Sequence, residues 1–225
     1  MAQHHQVGVL QNDLHLGNFL IVNDELVTID GDAVEFIHSL STNKCYQQLG
    51  TLLAQSFPKY DLMLEGLIPQ YFIERNIEIS RHAIKQVLKN RTTARNFAKK
   101  SWIRKMYRES THFKVVKTFS YQICMARDFV SEGLENKVFE LRNTSENKVV
   151  WTDKKYKYEA TRYSKKLNSE RRYLKDSEAS ICWLNTHLKI FFGENTATPV
   201  ALFISKVGPF HKIGYFVKAE ALPVR

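Results

Sequence analysis

Apolar residues occupy every position from Phe19 to Val22, the polar pair Asn23-Asp24 comes next, and a second run covers Leu26, Val27, Thr28 and Ile29. Two such runs around a two-residue polar turn predict a tight β-hairpin, here ending at Asp30-Gly31-Asp32. A short helix end and a polar loop precede it. From Asn43 the period changes: Cys45, Leu49, Leu52, Leu53 and Phe57 recur at three- and four-residue steps, and Pro58 and Pro69 break the next stretch into short helices. Ser80 is placed to cap a longer helix running to about Arg108, with Ile84, Val87, Leu88, Ala94, Phe97, Ala98, Trp102, Ile103 and Met106 turned toward a core. Its other side carries Arg91, Arg95, Lys99, Lys100, Arg104, Lys105 and Arg108, a basic stripe expected to face solvent.

Beyond an apolar segment from Val115 to Val130, the polar stretch Glu135 to Lys148 is the best internal boundary. Strands are expected at Val149 to Trp151 and Tyr156 to Tyr163, then a helical stretch through Trp183 to Phe192. A hairpin around Gly208-Pro209 closes the pattern, with strands over 198–204 and 213–217.

Composition narrows the class. With 225 residues, 44% hydrophobic and 25% charged, the chain reads as globular, which excludes disorder, collagen and coiled coil. No apolar run approaches the roughly 18 residues of a membrane-spanning helix, and MAQHHQVGV lacks the features of a secretory signal, so a cytoplasmic location is expected. Cys45, Cys124 and Cys182 are too few and too scattered for a disulfide framework or a zinc site. His4 and His5, with no third ligand spaced to help them, read as solvated.

Charge is unevenly spread: the net +10 divides into −7 over 1–80 and +17 over 81–225. A basic region of that size implies an anionic partner such as nucleic acid, phospholipid or a phosphorylated glycan. Tyr156, Tyr158 and Tyr163 interleave with Lys154, Lys155, Lys157 and Arg162, but a strand with one buried aromatic face explains them better than stacking on nucleic acid, for which no recognised fold motif is present.

The most specific chemistry lies in Gln11-Asn12-Asp13-Leu14-His15-Leu16-Gly17-Asn18, with Asp30 twelve residues later. Phosphoryl transfer needs a carboxylate to orient an acceptor hydroxyl and take its proton, and oxygen ligands to hold Mg²⁺ against phosphates. An Asp, four residues, an Asn and a hairpin ending in a second Asp have that spacing. The run resembles the catalytic segment of the kinase-like phosphotransferases, which include the aminoglycoside kinases and the bacterial lipopolysaccharide core kinases. That resemblance implies Asp13 as catalytic base, Asn18 and Asp30 as metal ligands that also hold the cofactor, His15 as a loop-shaping residue, and ATP and Mg²⁺ as cofactors. Gln11 and Asn12 depart from the usual His and small residue, and Gly31 directly after Asp30 alters the metal triplet.

The segment from Trp102 to Thr111 is similar to the basic helix-to-strand joint of the bacterial lipopolysaccharide kinase family of Kdo and heptose kinases. Larger members carry a second kinase-like unit, and the rest of the chain resembles its start. Tyr158 to Tyr163 looks like the lysine-bearing strand, Ala179 to Leu188 like the regulatory helix, the segment from Thr198 like the next strand, and Gly214 to Glu220 like the strand running to the hinge. Thr161 stands where the ATP-contacting lysine is expected, with Arg162 and Lys157 nearby, and Glu178 lies a turn too early to pair with it.

The resemblance therefore implies an α+β, protein-kinase-like chain in which a mostly helical C-lobe-like part (1–133) and a linker (134–148) precede a small, degenerate antiparallel N-lobe-like part (149–225). The expected activity is transfer of phosphate from ATP to a sugar hydroxyl of a lipid-linked core glycan. An inactive pseudokinase fragment acting as a scaffold is the competing reading. Only ten residues precede the catalytic loop, so a truncated or split reading frame is expected, with a separate chain supplying the missing N-lobe. The implied partners are the core glycan or an anionic membrane surface, reached at the inner membrane face, and nucleic acid is disfavoured.

Overall fold

The computed structural model describes residues 1–29, 31–166, 177–207 and 211–223. Two compact units divide the chain, Met1–Lys99 and Lys100–Arg225. Among the described residues no helix is long and apolar enough to cross a membrane.

The first unit opens with helix α1 (Ala2–Gln6) and strand β1 (Val9–Gln11), which pairs antiparallel with β4 (Val34–Phe36). Between them a short helical turn, Leu16–Asn18, leads into the hairpin β2 (Phe19–Val22) and β3 (Glu25–Thr28). Asn23 and Asp24 both take positive φ, 50° and 63°, the geometry a two-residue turn needs to match the strand twist. Helix α2 (Thr42–Leu53) starts at Ser41, whose Oγ accepts from Lys44 N, and the short helices α3 (Asp61–Glu65) and α4 (Ile68–Glu74) come after it. Cys45, Leu49, Ile68, Tyr71, Phe72 and Val87 form the centre of this unit's core. Gly50 lets α2 approach the long helix Arg81–Met106 closely, since a Cβ there would lie 2.7 Å from Arg91 N.

Helix α5 (Arg81–Met106) starts at the expected cap, with Ser80 Oγ accepting from Ala83 N at 3.0 Å. Val87 and Met106 are buried as the period predicts, but Phe97 and Ala98 are exposed. The basic stripe also needs correction. Arg91 is 8% exposed and reaches Glu65 at 2.7 Å, and Arg95 makes two 2.8 Å bonds to the Asp61 carboxylate. The acids come from α3, so these guanidinium groups neutralise carboxylates of the same unit rather than face water.

The second unit is built on a six-stranded antiparallel sheet in the order β5-β6-β9-β10-β8-β7. Its strands are β5 (Phe113–Lys117), β6 (Tyr121–Ala126), β7 (Lys148–Thr152), β8 (Tyr156–Lys166), β9 (Thr198–Val207) and β10 (His211–Ala221). Alternation along each strand feeds two cores. Tyr158, Tyr215, Val217 and Phe203 lie in one, with Leu134 and Val138 of helix α6 (Glu132–Glu140). Phe216, Leu202 and Cys124 lie in the other, against Trp183 of helix α7 (Glu178–Phe191). The segment expected as a linker therefore contains a helix whose apolar residues belong to the sheet's core, and Leu141 just after it is buried there too. Strands β5 and β6, expected on the helical side of that linker, belong to the same sheet as β7, β8, β9 and β10, and the contacts divide the chain at Lys99. The α+β class holds. The expected turn at Gly208-Pro209 lies outside the described residues.

Candidate functional site

The loop from Gln11 to Asn18 is fixed at both ends by backbone pairing. Gln11 ends β1 opposite Val34, and Asn12 N donates to Ala33 O at 2.8 Å. At the far end Ile29 N donates to Asn18 O at 2.9 Å, which extends the hairpin ladder to the loop. Asn18 is buried, and its Nδ2 donates to Asp13 O at 2.8 Å across the loop's chord. The loop thus curls around one amide, and the Asp13 side chain is left 63% exposed with His15 Nε2 at 3.7 Å from Oδ2.

Helix α2 holds the same loop from outside. Gln55, just past its end, donates through Nε2 to Leu14 O and accepts from Leu16 N, both at 2.6 Å, so a single amide clamps the backbone on either side of His15. Gln48 donates to Gln11 O at 2.6 Å. That bond fixes the polarity of a longer chain of contacts, because a carbonyl only accepts. Gln48 Oε1 must then accept from His5 Nε2–H (2.9 Å), His5 Nδ1 must accept from the Tyr71 hydroxyl (2.6 Å), and Tyr71 receives Arg75 Nη1 at 3.2 Å. His5 is buried and neutral in this chain. Burial holds its pKa below the ordinary histidine range, and the Arg75 and N-terminal charges add to the effect against the Gln48 bond.

Asp13 lines a cleft of about 330 Å³ with Gln11, Lys44, Gln47, Gln48 and Thr51. Gln11 is 3% exposed, and neither end of its side-chain amide has a hydrogen bond among the described residues. A carboxylate at the lip, a lysine and several amides suit an acceptor rich in hydroxyl groups, each of which both donates and accepts.

Of the three site residues expected from the sequence, Asp13 and Asn18 are brought together by a direct bond, and Asp30 lies outside the described residues. In the second unit Thr161 of β8 pairs with Phe216, which packs with Trp183 of α7, and Glu178 is the first residue of that helix. Sequence reasoning missed His5, Gln48, Tyr71 and Gln55. The reading of His4 and His5 as solvated is wrong for His5, whose ring is closed in by Tyr71 and Gln48. A signal existed in Gln48 and Gln55, polar residues seven apart on one face of a helical pattern.

No protein-family model matches this chain, and neither does any curated protein or solved structure.

Proposed function

We propose that the chain is a lipopolysaccharide-kinase-like phosphotransferase whose Asp13 loop acts on a sugar hydroxyl of a lipid-linked core glycan. The observation that carries this reading is the closed loop itself. The Asp-x₄-Asn spacing is realised as a loop in which buried Asn18 bonds the backbone carbonyl of Asp13 and leaves the Asp13 carboxylate exposed, with the end of the hairpin bonded to the Asn18 backbone. In the second unit, β8, α7, β9 and β10 succeed one another in the order the resemblance implies, with β10 between β8 and β9.

Asp13 is the residue that meets the acceptor. Its carboxylate accepts the hydrogen bond of the incoming hydroxyl, orients it, and is placed to take its proton. Gln48 and Gln55 keep the loop backbone from drifting, which matters because positioning supplies most of the acceleration in this chemistry. The donor set suits a hard divalent cation, because the Asn18 amide nitrogen is the end bonded to Asp13 O and the oxygen Oδ1 is the ligand atom it offers. Asn18 and Asp30 would hold Mg²⁺, which supplies charge neutralisation on phosphate oxygens when bound. For ATP the residues of β8 do not fit, because Thr161 occupies the position of the expected lysine and Glu178 is too early on α7 to pair across.

That mismatch at β8 favours a second reading, an inactive scaffold of the same ancestry. The test is transfer of label from γ-labelled ATP, with Mg²⁺, to purified lipid-linked core glycan. Label that reaches the glycan with wild type and falls to background with Asp13→Asn supports the kinase. Transfer that is unaffected by Asp13→Asn refutes it, and no transfer by either protein leaves the scaffold.

A further inference from the structure

Hairpin β2–β3 is apolar on both faces. Leu20 pairs with Val27 and Ile21 with Leu26, so the two pairs point in opposite directions. Both pairs are exposed, Ile21 at 78% and Leu26 at 65%. A two-stranded ribbon with neither face buried is marginal by itself, and no other strand pairs with its edges among the described residues. Residues 1–43 hold six acids and not one Lys or Arg, and Asp24 and Glu25 sit at the hairpin's own turn. Its natural cover is therefore apolar, able to pair by backbone, and basic.

The second unit carries such a surface. The sheet has two outer strands, β5 and β7. Strand β5 is closed, because Phe113 N donates to Ser110 Oγ and Val115 N to the Glu109 carboxylate. Strand β7 has no partner strand on its outer side among the described residues, exposes Val150, and runs into a turn where Lys154, Lys155 and Lys157 stand against the single acid Asp153. Open edges of this kind recruit strands from other chains. Pairing hairpin with hairpin would set one acidic segment against another, since residues 1–43 carry no Lys or Arg, whereas hairpin on β7 matches opposite charges.

We propose that the protein associates head to tail, the β2–β3 hairpin of one copy adding to the outer edge of β7 in a second copy. The proposal is independent of the catalytic reading. An interface between two different patches does not close on itself in a dimer, so the assembly grows with concentration unless it forms a ring.

Sedimentation velocity on the full chain tests this with two variants, Ile21→Ser/Leu26→Ser in the hairpin and Lys154→Glu/Lys155→Glu beside the edge. Wild type should gain average mass over about 1–100 µM, and the apparent Kd should rise at least about tenfold between low and high salt because the attraction is screened. Each variant alone should stay monomeric with an unchanged circular dichroism spectrum. Mixed together, they should form a dimer that grows no further, one supplying the intact edge and the other the intact hairpin. A wild type that is monomeric throughout would overturn the proposal. So would a hairpin variant that associates like wild type, or two folded variants that fail to pair.

Discussion

Gly50→Ala sets two known effects against each other at the contact between α2 and α5. Alanine in a helix interior is favoured over glycine by about 1 kcal/mol, so an open site would be stabilised. Here the new methyl would lie 2.7 Å from Arg91 N and Asn90 Cβ and 2.9 Å from Val87 O. Two of those atoms are helix backbone, which has no rotamer to change. Restoring ordinary contact needs the helices to part by about 1 Å, which weakens dispersion contacts along the whole crossing, and overpacking of this kind costs about 1–3 kcal/mol. The clash should win, leaving a net loss of about 1–2 kcal/mol. Urea unfolding reads this by unit, because Trp102, Trp151 and Trp183 all lie in the second one. The far-ultraviolet dichroism transition of the first unit should move down by roughly 1 M, for an m-value of about 1–2 kcal/mol/M, while tryptophan fluorescence barely shifts. Gly133→Ala in α6, where a Cβ meets nothing within 4 Å, is the opposite control and should stabilise the second unit by roughly 0.5 kcal/mol. A Gly50→Ala midpoint equal to or above wild type would refute the packing argument.

Asp61→Ala strands Arg95, which makes both of its carboxylate bonds there, while Arg91 keeps Glu65. Breaking a buried pair costs about 3–5 kcal/mol, and because the Asp61 side chain is 22% exposed, about 2 kcal/mol is expected in the same dichroism assay. Arg95 holds the Asp61 pKa below the ordinary carboxylate range, so the advantage of wild type is full above that range and should shrink as pH falls toward the depressed value. His187, caged by Trp102, Phe113 and Trp183, has its pKa pushed down to about 3 by burial. The unfolded chain takes a proton there below about pH 6.5 and the folded chain does not, so stability should fall with acidification at up to about 1.4 kcal/mol per pH unit. His187→Phe should flatten that slope in denaturation series between about pH 6 and 4, and an unchanged slope would mean another group is responsible.

Elements whose period is local were legible in the sequence. The β2–β3 hairpin, the Ser80 cap and the strands at 149–151 and 156–163 all arise from neighbouring residues alone. The loop around Asp13 was legible for the same reason, since its Asp-x₄-Asn spacing closes on itself. The features that escaped depend on partners far along the chain. A stripe with Arg91 and Arg95 looks the same whether it faces water or the carboxylates of Asp61 and Glu65, 26 to 34 residues upstream. His5 gains its role only from Gln48 and Tyr71, 43 and 66 residues away. The helix at 132–140 was hidden by its polar composition, although Leu134, Val138 and Leu141 keep the four-and-three step of a buried face.

If the Asp13–Asn18 loop and the end of the hairpin form one divalent-cation site, paramagnetic Mn²⁺ should find it. Titrated in place of Mg²⁺ into ¹⁵N-labelled full chain, the ion broadens each amide signal more strongly the closer that amide lies to it. Selective broadening at residues 13–18 and at Ile29, lost in Asn18→Leu while Asp24 and Glu25 at the hairpin tip stay sharp, is the expected result. Broadening centred on the tip, or none at the loop at Mn²⁺ concentrations that broaden other acidic residues, would mean that these groups do not share a cation.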